Sequence, residues 1–190
     1  NADTYFLQAS SHGVGWIGFG GDEAKRRLGT AVVDVSGGAQ KRRLGAQVMS
    51  NSDFADAIKS ALADNDIPKL DMLGFDACLM AGIGIAGEYA DVTKYFVASQ
   101  ATIPSHGWDY SQWLSNYTSI IDVGKSIIDT FIASKQGNYR HMAPKLLALV
   151  DMSMYPTFNA KLDAFYDQIV IGYEAGDQSV FTSVQRALEG

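Results

Sequence analysis

Short runs of consecutive apolar residues recur along the chain without the polar–apolar alternation of a half-exposed strand. Strands are predicted at residues 4–10, 30–35, 44–49, 69–75, 94–99 and 145–151, and the second and third of these could form a hairpin. Helices are predicted at residues 54–64, 79–90, about 122–135 and about 155–171, so that strands and helices alternate from residue 44 onward. Apolar strands that alternate with helices are typical of a parallel sheet covered on both faces. The sequence therefore predicts an α/β fold, a three-layer α/β/α sandwich around a mostly parallel central sheet.

Composition excludes several classes of function. The chain has 190 residues, of which 47% are apolar, and its net charge is −6. Nucleic-acid binding is not expected, because phosphate recognition needs a positive field. No apolar run approaches the roughly 18 residues of a membrane helix, and one cysteine allows no internal disulfide.

We expect a single domain over residues 1–190, with an N-terminal segment missing because the sequence begins almost directly in a strand.

Reactive side chains follow two of the predicted strands. Strand 4–10 leads into Ser11-His12-Gly13, and strand 69–75 leads into Asp76-Ala77-Cys78. The carboxyl ends of parallel strands meet at one edge of a sheet, so His12 and Cys78 are expected to lie close together. A neighbouring imidazole makes the thiolate accessible at neutral pH and can donate a proton to a leaving amine. Taken alone, either residue is more often structural, and only the joint arrangement predicts a catalytic pair.

The motif GFDACLMAG at residues 74–82 extends this pattern. Together with His12-Gly13, VAS at 97–99 and Gly107-Trp108-Asp109-Tyr110, it resembles the clostripain family of caspase-like cysteine peptidases. The resemblance runs from about residue 4 to residue 170 and implies a caspase-like peptidase fold. It also implies an endopeptidase in which His12 is the general base and acid and Cys78 the nucleophile. The backbone N–H groups of Gly13 and Cys78 would bind the oxyanion.

The same resemblance assigns Asp76 to the recognition of a basic substrate side chain, Arg or Lys. A carboxylate beside the scissile bond can pair with either cation. Asp109 is a weaker second acid for this role, and the alternative for Asp76 is a cap on the following turn. The expected partners are peptides or proteins with basic residues, together with the enzyme's own N-terminal segment.

The segment KRRLG occurs twice, at residues 25–29 and 41–45. Two exposed basic turns would explain it without any function. Relatives in the clostripain family are typically precursors cut at a basic site after the catalytic histidine, so residues 17–47 form a candidate processing loop. We expect self-cleavage after one of four arginines, namely Arg26, Arg27, Arg42 or Arg43.

Two other interpretations stay open at this point. Gly13, Gly15 and Gly18 form the pattern G-x-G-x-x-G, and Asp34 ends a later predicted strand, as in dinucleotide-binding domains. That motif needs a helix starting within the glycine run, and GFGG at 18–21 is poor helix material. The second interpretation is a caspase-like binding module, or an inactive fragment, without catalysis.

The remaining expectations concern histidines, cofactors and location. His106 precedes Gly107 and is expected to be a solvated loop histidine, with an approach to the cleft as the alternative. His141 is assigned no role. No cofactor is expected to be required and no metal ligands are proposed. The resemblance allows calcium as an activator, although no spaced acids form a calcium loop. Secretion, or a periplasmic or cell-surface location, is implied by the family alone.

Overall fold

The computed structural model describes residues 2–20, 48–113, 118–134 and 145–189. The four candidate processing arginines, Asp34, His141 and the predicted strand 30–35 lie outside the described residues. Within them, the strands of one sheet are β1 Phe6–Ser10, β2 Leu70–Asp76, β3 Thr93–Ala98 and β4 Ala148–Asp151, in the order β1-β2-β3-β4. The pairs β1–β2 and β2–β3 are parallel, whereas β4 is antiparallel to β3. The predicted α/β class with a mostly parallel sheet is confirmed.

Six helices accompany the sheet in the described residues: α1 Asn51–Asp64, α2 Ile83–Glu88, α3 Tyr110–Trp113, α4 Ile120–Ala133, α5 Tyr155–Glu174 and α6 Gln178–Glu189. Short 3-10 turns span Gly15–Ile17 and Met152–Met154. The chain divides into two compact units, Asn1–Met152 and Ser153–Gly190. The first contains the sheet with α1 to α4, and the second contains α5 and α6. A single domain over the whole chain stays a prediction.

Apolar side chains cover both faces of the sheet. Alternate residues of β2 project to opposite faces, so Met72 and Phe75 lie on different sides. On one face Met72 packs in a buried cluster with residues of β3 and α4 and with two tryptophans. The members of this cluster are Met72, Val97, Trp108, Trp113, Val123, Ile127 and Phe131. On the other face Phe75 contacts the rings of Phe19, Phe54, Tyr89 and Phe96. These two apolar layers give the three-layer arrangement that the strand patterns predict.

Helix boundaries follow from local hydrogen bonds. Ser50 and Ser119 cap α1 and α4, each accepting from the backbone N–H three residues later. The helix expected over 79–90 begins only at Ile83. The reason is that Leu79 and Ala81 donate their backbone N–H groups to the carbonyls of Ala101 and Ser99, and these bonds hold the chain against the segment after β3 instead of in a helix. No helix in the described ranges is long and apolar enough to cross a membrane.

Candidate active site

Strand register brings the two sequence-predicted catalytic residues to one edge. Ser10 at the end of β1 pairs with Asp76 at the end of β2. His12 and Cys78 each come two residues later, where both leave the same edge of the sheet. Both line a cleft of about 700 Å³, whose wall also includes residues 103–107 and Tyr110. The cleft thus lies beyond the carboxyl ends of the parallel strands, where sites of α/β folds usually form.

Cys78 is a free, half-buried cysteine. The backbone N–H of Ile103 donates to its Sγ at 3.2 Å, and the thiol lies 3.7 Å from the carbonyl oxygen of Ile103. These two contacts hold the sulfur against the backbone of Ile103 in the wall of the cleft. Leu79, the next residue, has φ of 62°, a left-handed conformation that is uncommon for a residue with a side chain. The chain therefore turns sharply immediately after Cys78.

His12 is exposed, and the residue after it determines how closely the two strand ends approach. Gly13 is buried, and a Cβ built on it would overlap the carbonyl oxygen of Cys78. The turn that follows is closed by two backbone bonds, from Gly20 N–H to the His12 carbonyl at 2.9 Å and from Val14 N–H to the Gly18 carbonyl at 3.1 Å. His12 consequently lies on a short closed loop and not on a free chain end.

Asn51 and Tyr89 brace this loop from the sheet face that carries α1 and α2. Asn51 Nδ2 donates to the carbonyl of Gly15 at 3.1 Å, and the Tyr89 hydroxyl donates to Asn51 Oδ1 at 3.1 Å. Both side chains are buried. Burial, together with the charge of Glu88, raises the pKa of Tyr89, which keeps its hydroxyl protonated and able to donate.

The glycine run does not have the geometry of a dinucleotide-binding loop. Gly15–Ile17 forms a 3-10 turn of three residues, and Gly13 pairs with Phe19 in an antiparallel bridge. In residues 13–20 no α-helix begins, so no helix N-terminus is available for a pyrophosphate. The glycines instead allow the close turn between His12 and the buried pair Asn51 and Tyr89, which we call the brace.

Asp76 lies in the wall of the cleft and is only 5% exposed. Its Oδ2 accepts from the backbone N–H of Trp108 at 3.0 Å and from the Tyr110 hydroxyl at 2.7 Å. Its Oδ1 is buried and has no hydrogen-bond partner among the described residues. Gln8 Nε2 donates to the Tyr110 hydroxyl oxygen at 2.8 Å. Burial, and then the hydrogen bond to Asp76 and its charge, raise the pKa of Tyr110, so this hydroxyl remains a donor.

Gly107 makes room for that carboxylate. It has φ of 65°, and a Cβ at this position would overlap Asp76 Oδ2. His106 is half-buried and lines the cleft, which is the alternative placement and not the solvated one that was favoured. Its Nδ1 donates to the carbonyl of Gly107 at 2.7 Å. Asp109 accepts from the Ser111 hydroxyl at 2.6 Å and is not among the described residues that line the cleft.

The sequence did not single out Tyr110 or Gln8. Tyr110 belongs to the GW-Y motif used for the resemblance, but nothing in that motif indicates a bond to an acid 34 positions earlier. In the described ranges no three His, Cys, Asp or Glu side chains converge as metal ligands would.

Comparison with known proteins agrees with this architecture. The sequence model of the clostripain family matches residues 1–186. A secreted C11 cysteine protease from Bacteroides thetaiotaomicron, solved with an irreversible peptide inhibitor, has a TM-score of 0.60 and 19% identity over 84% of this chain and 42% of that one. A second structure from that bacterium, iotapain, has a TM-score of 0.53 and 22% identity over 80% of this chain and 40% of that one.

An inactive zymogen of a C11 protease from Parabacteroides distasonis gives a TM-score of 0.53 and 19% identity. It is matched over 84% of this chain and 37% of that one. The present chain thus spans less than half the length of these solved structures. Comparison with curated proteins gives no match.

Proposed function

The chain belongs to the clostripain family, and we propose that it carries the catalytic core of a cysteine endopeptidase. One observation carries the proposal: His12 and Cys78, which follow two neighbouring parallel strands, line the same cleft. The Cys78 thiolate attacks the carbonyl carbon of the scissile bond, and His12 gives a proton to the leaving amine. Water then hydrolyses the thioester, with His12 as the base.

The oxyanion of each tetrahedral intermediate is bound by backbone N–H groups of Gly13 and Cys78. In support, neither N–H donates to an acceptor among the described residues, and Gly13 packs against Cys78. Donors that are already in place stabilise the developing charge without reorganisation. The close turn at Gly13 is therefore part of the proposed machinery.

Asp76 selects a basic residue before the scissile bond. Its buried Oδ1 has no described donor, and a positively charged substrate side chain entering the cleft would supply one. Asp109 remains a second acid for this role, although its carboxylate bonds to Ser111 outside the described cleft lining. The proposed substrates are peptides or proteins with Arg or Lys.

Activation by self-cleavage is the second part of the proposal. The repeated KRRLG segments place Arg26, Arg27, Arg42 and Arg43 after His12 in the sequence. One solved protein of similar fold is described as an inactive zymogen. Another is described as secreted, and we extend export to this chain on that basis. The expected partner is then the enzyme's own upstream segment.

Covalent labelling tests the catalytic pair. The protein is incubated with a peptide chloromethyl ketone ending in Lys or Arg, and mass spectrometry locates the adduct. We expect one adduct on Cys78 in the wild type, none in Cys78→Ala, and a labelling rate at least about a hundredfold lower in His12→Ala. A folded wild-type sample that gives no adduct contradicts catalysis and favours a binding module.

Fluorogenic peptides with Arg, Lys, Asn or Asp before the scissile bond test the basic preference. Asp76→Asn is expected to lose turnover of the Arg and Lys peptides, whereas Asp91→Asn keeps it. Asp91 is the matched control because it is exposed and precedes β3, at the opposite end of the sheet. If Asp109→Asn loses turnover and Asp76→Asn keeps it, Asp109 and not Asp76 recognises the basic side chain. Cleavage after Asn or Asp would contradict the proposed preference for basic residues.

Self-cleavage is tested by expressing the wild type and Cys78→Ala side by side. The wild type should yield fragments ending at one of the four arginines, and Cys78→Ala should stay intact. Identical fragments in both samples, or an uncut wild type that nevertheless turns over peptides, would show that activation does not proceed in this way.

A further inference from the structure

The two oxygens of Asp76 are in different situations. Oδ2 accepts two donors, the Trp108 N–H at 3.0 Å and the Tyr110 hydroxyl at 2.7 Å. Two donors occupy the two lone-pair directions of a carboxylate oxygen. Oδ1 is buried in the same cleft wall with no hydrogen bond to a described residue. One carboxylate oxygen therefore has no described donor, whereas the other already accepts two.

The difference between the two oxygens of Asp76 affects how well the cleft can bind an Arg or a Lys side chain. A guanidinium pairs best with a carboxylate through two parallel N–H···O bonds, which need both oxygens. An ammonium is a compact point charge and needs only one. Burying a guanidinium against a half-committed carboxylate leaves some of its five donors without acceptors, which is unfavourable.

From this arrangement we propose that Tyr110 is a specificity-determining residue that makes the cleft favour Lys over Arg before the scissile bond. This inference rests on the proposed peptidase function and narrows its substrate class. By donating its hydroxyl to Oδ2, Tyr110 limits the hydrogen bonds that Asp76 can accept from a substrate side chain. It is itself held by the donor from Gln8 at 2.8 Å and by ring contact with Trp113, whose centroid lies 5.8 Å away.

Tyr110→Phe is the informative variant, because it removes the hydroxyl and keeps the ring that contacts Trp113. The freed position on Oδ2 becomes available to the second N–H of a guanidinium. Tyr95→Phe is the matched control, since Tyr95 packs against the same buried cluster and has no described contact with Asp76. Both variants lose one hydroxyl, but only one of them changes what the carboxylate can accept.

The measurement is the ratio of kcat/KM for two fluorogenic peptides that differ only in Lys or Arg before the scissile bond. A general loss of folding or of catalytic power cancels in this ratio. We expect a wild-type ratio above one in favour of Lys. It should fall by about tenfold in Tyr110→Phe, the effect of one charge-assisted hydrogen bond gained by Arg, and stay unchanged in Tyr95→Phe.

The outcomes separate the two proposals. Turnover of neither peptide by the folded wild type overturns the peptidase function and this inference together. Turnover of both with a wild-type preference for Arg overturns the inference alone, even if Tyr110→Phe does not fold. The same follows if the ratio is equal in Tyr110→Phe and the wild type.

Discussion

The α-carbon of Gly13 packs so closely on the carbonyl oxygen of Cys78 that no side chain fits between them. This contact joins the two strand ends that carry the proposed catalytic pair. A Cβ would force the His12 loop away from Cys78 and would displace both proposed oxyanion donors. The glycine of the His-Gly dipeptide is thus required by packing, in addition to any freedom of its backbone.

Gly13→Ala is therefore expected to lower labelling of Cys78 by a peptide chloromethyl ketone by at least about a hundredfold, the effect typical of losing an oxyanion donor. Gly84→Ala is the control, because a Cβ on Gly84 in α2 meets nothing within 4 Å. Alanine favours helix over glycine, so Gly84→Ala should label at the wild-type rate and be stabilised by up to about 1 kcal/mol. Equal labelling of both variants would mean that the contact is irrelevant to reactivity.

Gly107 tests the position of the Asp76 carboxylate. Gly107→Ala combines a left-handed backbone at φ 65° with overlap on Asp76 Oδ2, so it should displace the loop that supplies the Trp108 N–H and lose turnover of basic peptides. Gly176→Ala separates the two causes, because Gly176 has φ of 71° and open space around its Cβ position. It should keep full turnover. Comparable losses in both variants would attribute the effect to backbone strain and not to Asp76.

Sequence patterns predicted the parts of the site that depend on strand ends. His12 and Cys78 line one cleft because they follow neighbouring parallel strands that share one edge, and apolar runs are sufficient to locate such strands. The bond from Tyr110 to Asp76 was not predictable, since it depends on the path of residues 103–110, where Gly107 has a left-handed backbone. Loop conformation of this kind has no periodic signal in the sequence.

The start of α2 at Ile83 was not predictable from the sequence either, because it too depends on contacts between distant segments. The small residues after Cys78 are compatible with helix, and they were expected to be helical from residue 79. Their backbone N–H groups instead bond to Ser99 and Ala101, contacts that arise only when β3 has paired with β2. The helix α6 was not predicted either, although its apolar residues Val180, Val184 and Leu188 recur at helical spacing.

The brace behind the His12 loop gives a third prediction. Tyr89→Phe leaves the buried Asn51 Oδ1 without its donor, and should lower the free energy of unfolding by about 1–2 kcal/mol in urea titrations. Asn51→Ala should also release the Gly15 carbonyl and slow labelling of Cys78, whereas Tyr95→Phe should do neither. If Asn51→Ala labels as fast as the wild type, the brace supports stability only.

Asp71 ties the opposite end of the sheet together and gives a prediction about pH. Burial alone would raise its pKa, but the Lys94 ammonium at 2.8 Å and the Tyr5 N–H at 2.8 Å outweigh burial and lower it. A carboxyl with a lowered folded-state pKa stabilises the fold above its ordinary pKa of about 3.9, and this contribution is lost as pH falls through the folded-state value. Asp71→Asn should therefore reduce the free energy of unfolding by about 1 kcal/mol at pH 7 and by much less near pH 2. Asp91→Asn, an exposed control, should show no such gap, and a gap for Asp71→Asn that is equal at both pH values would refute the ionic explanation.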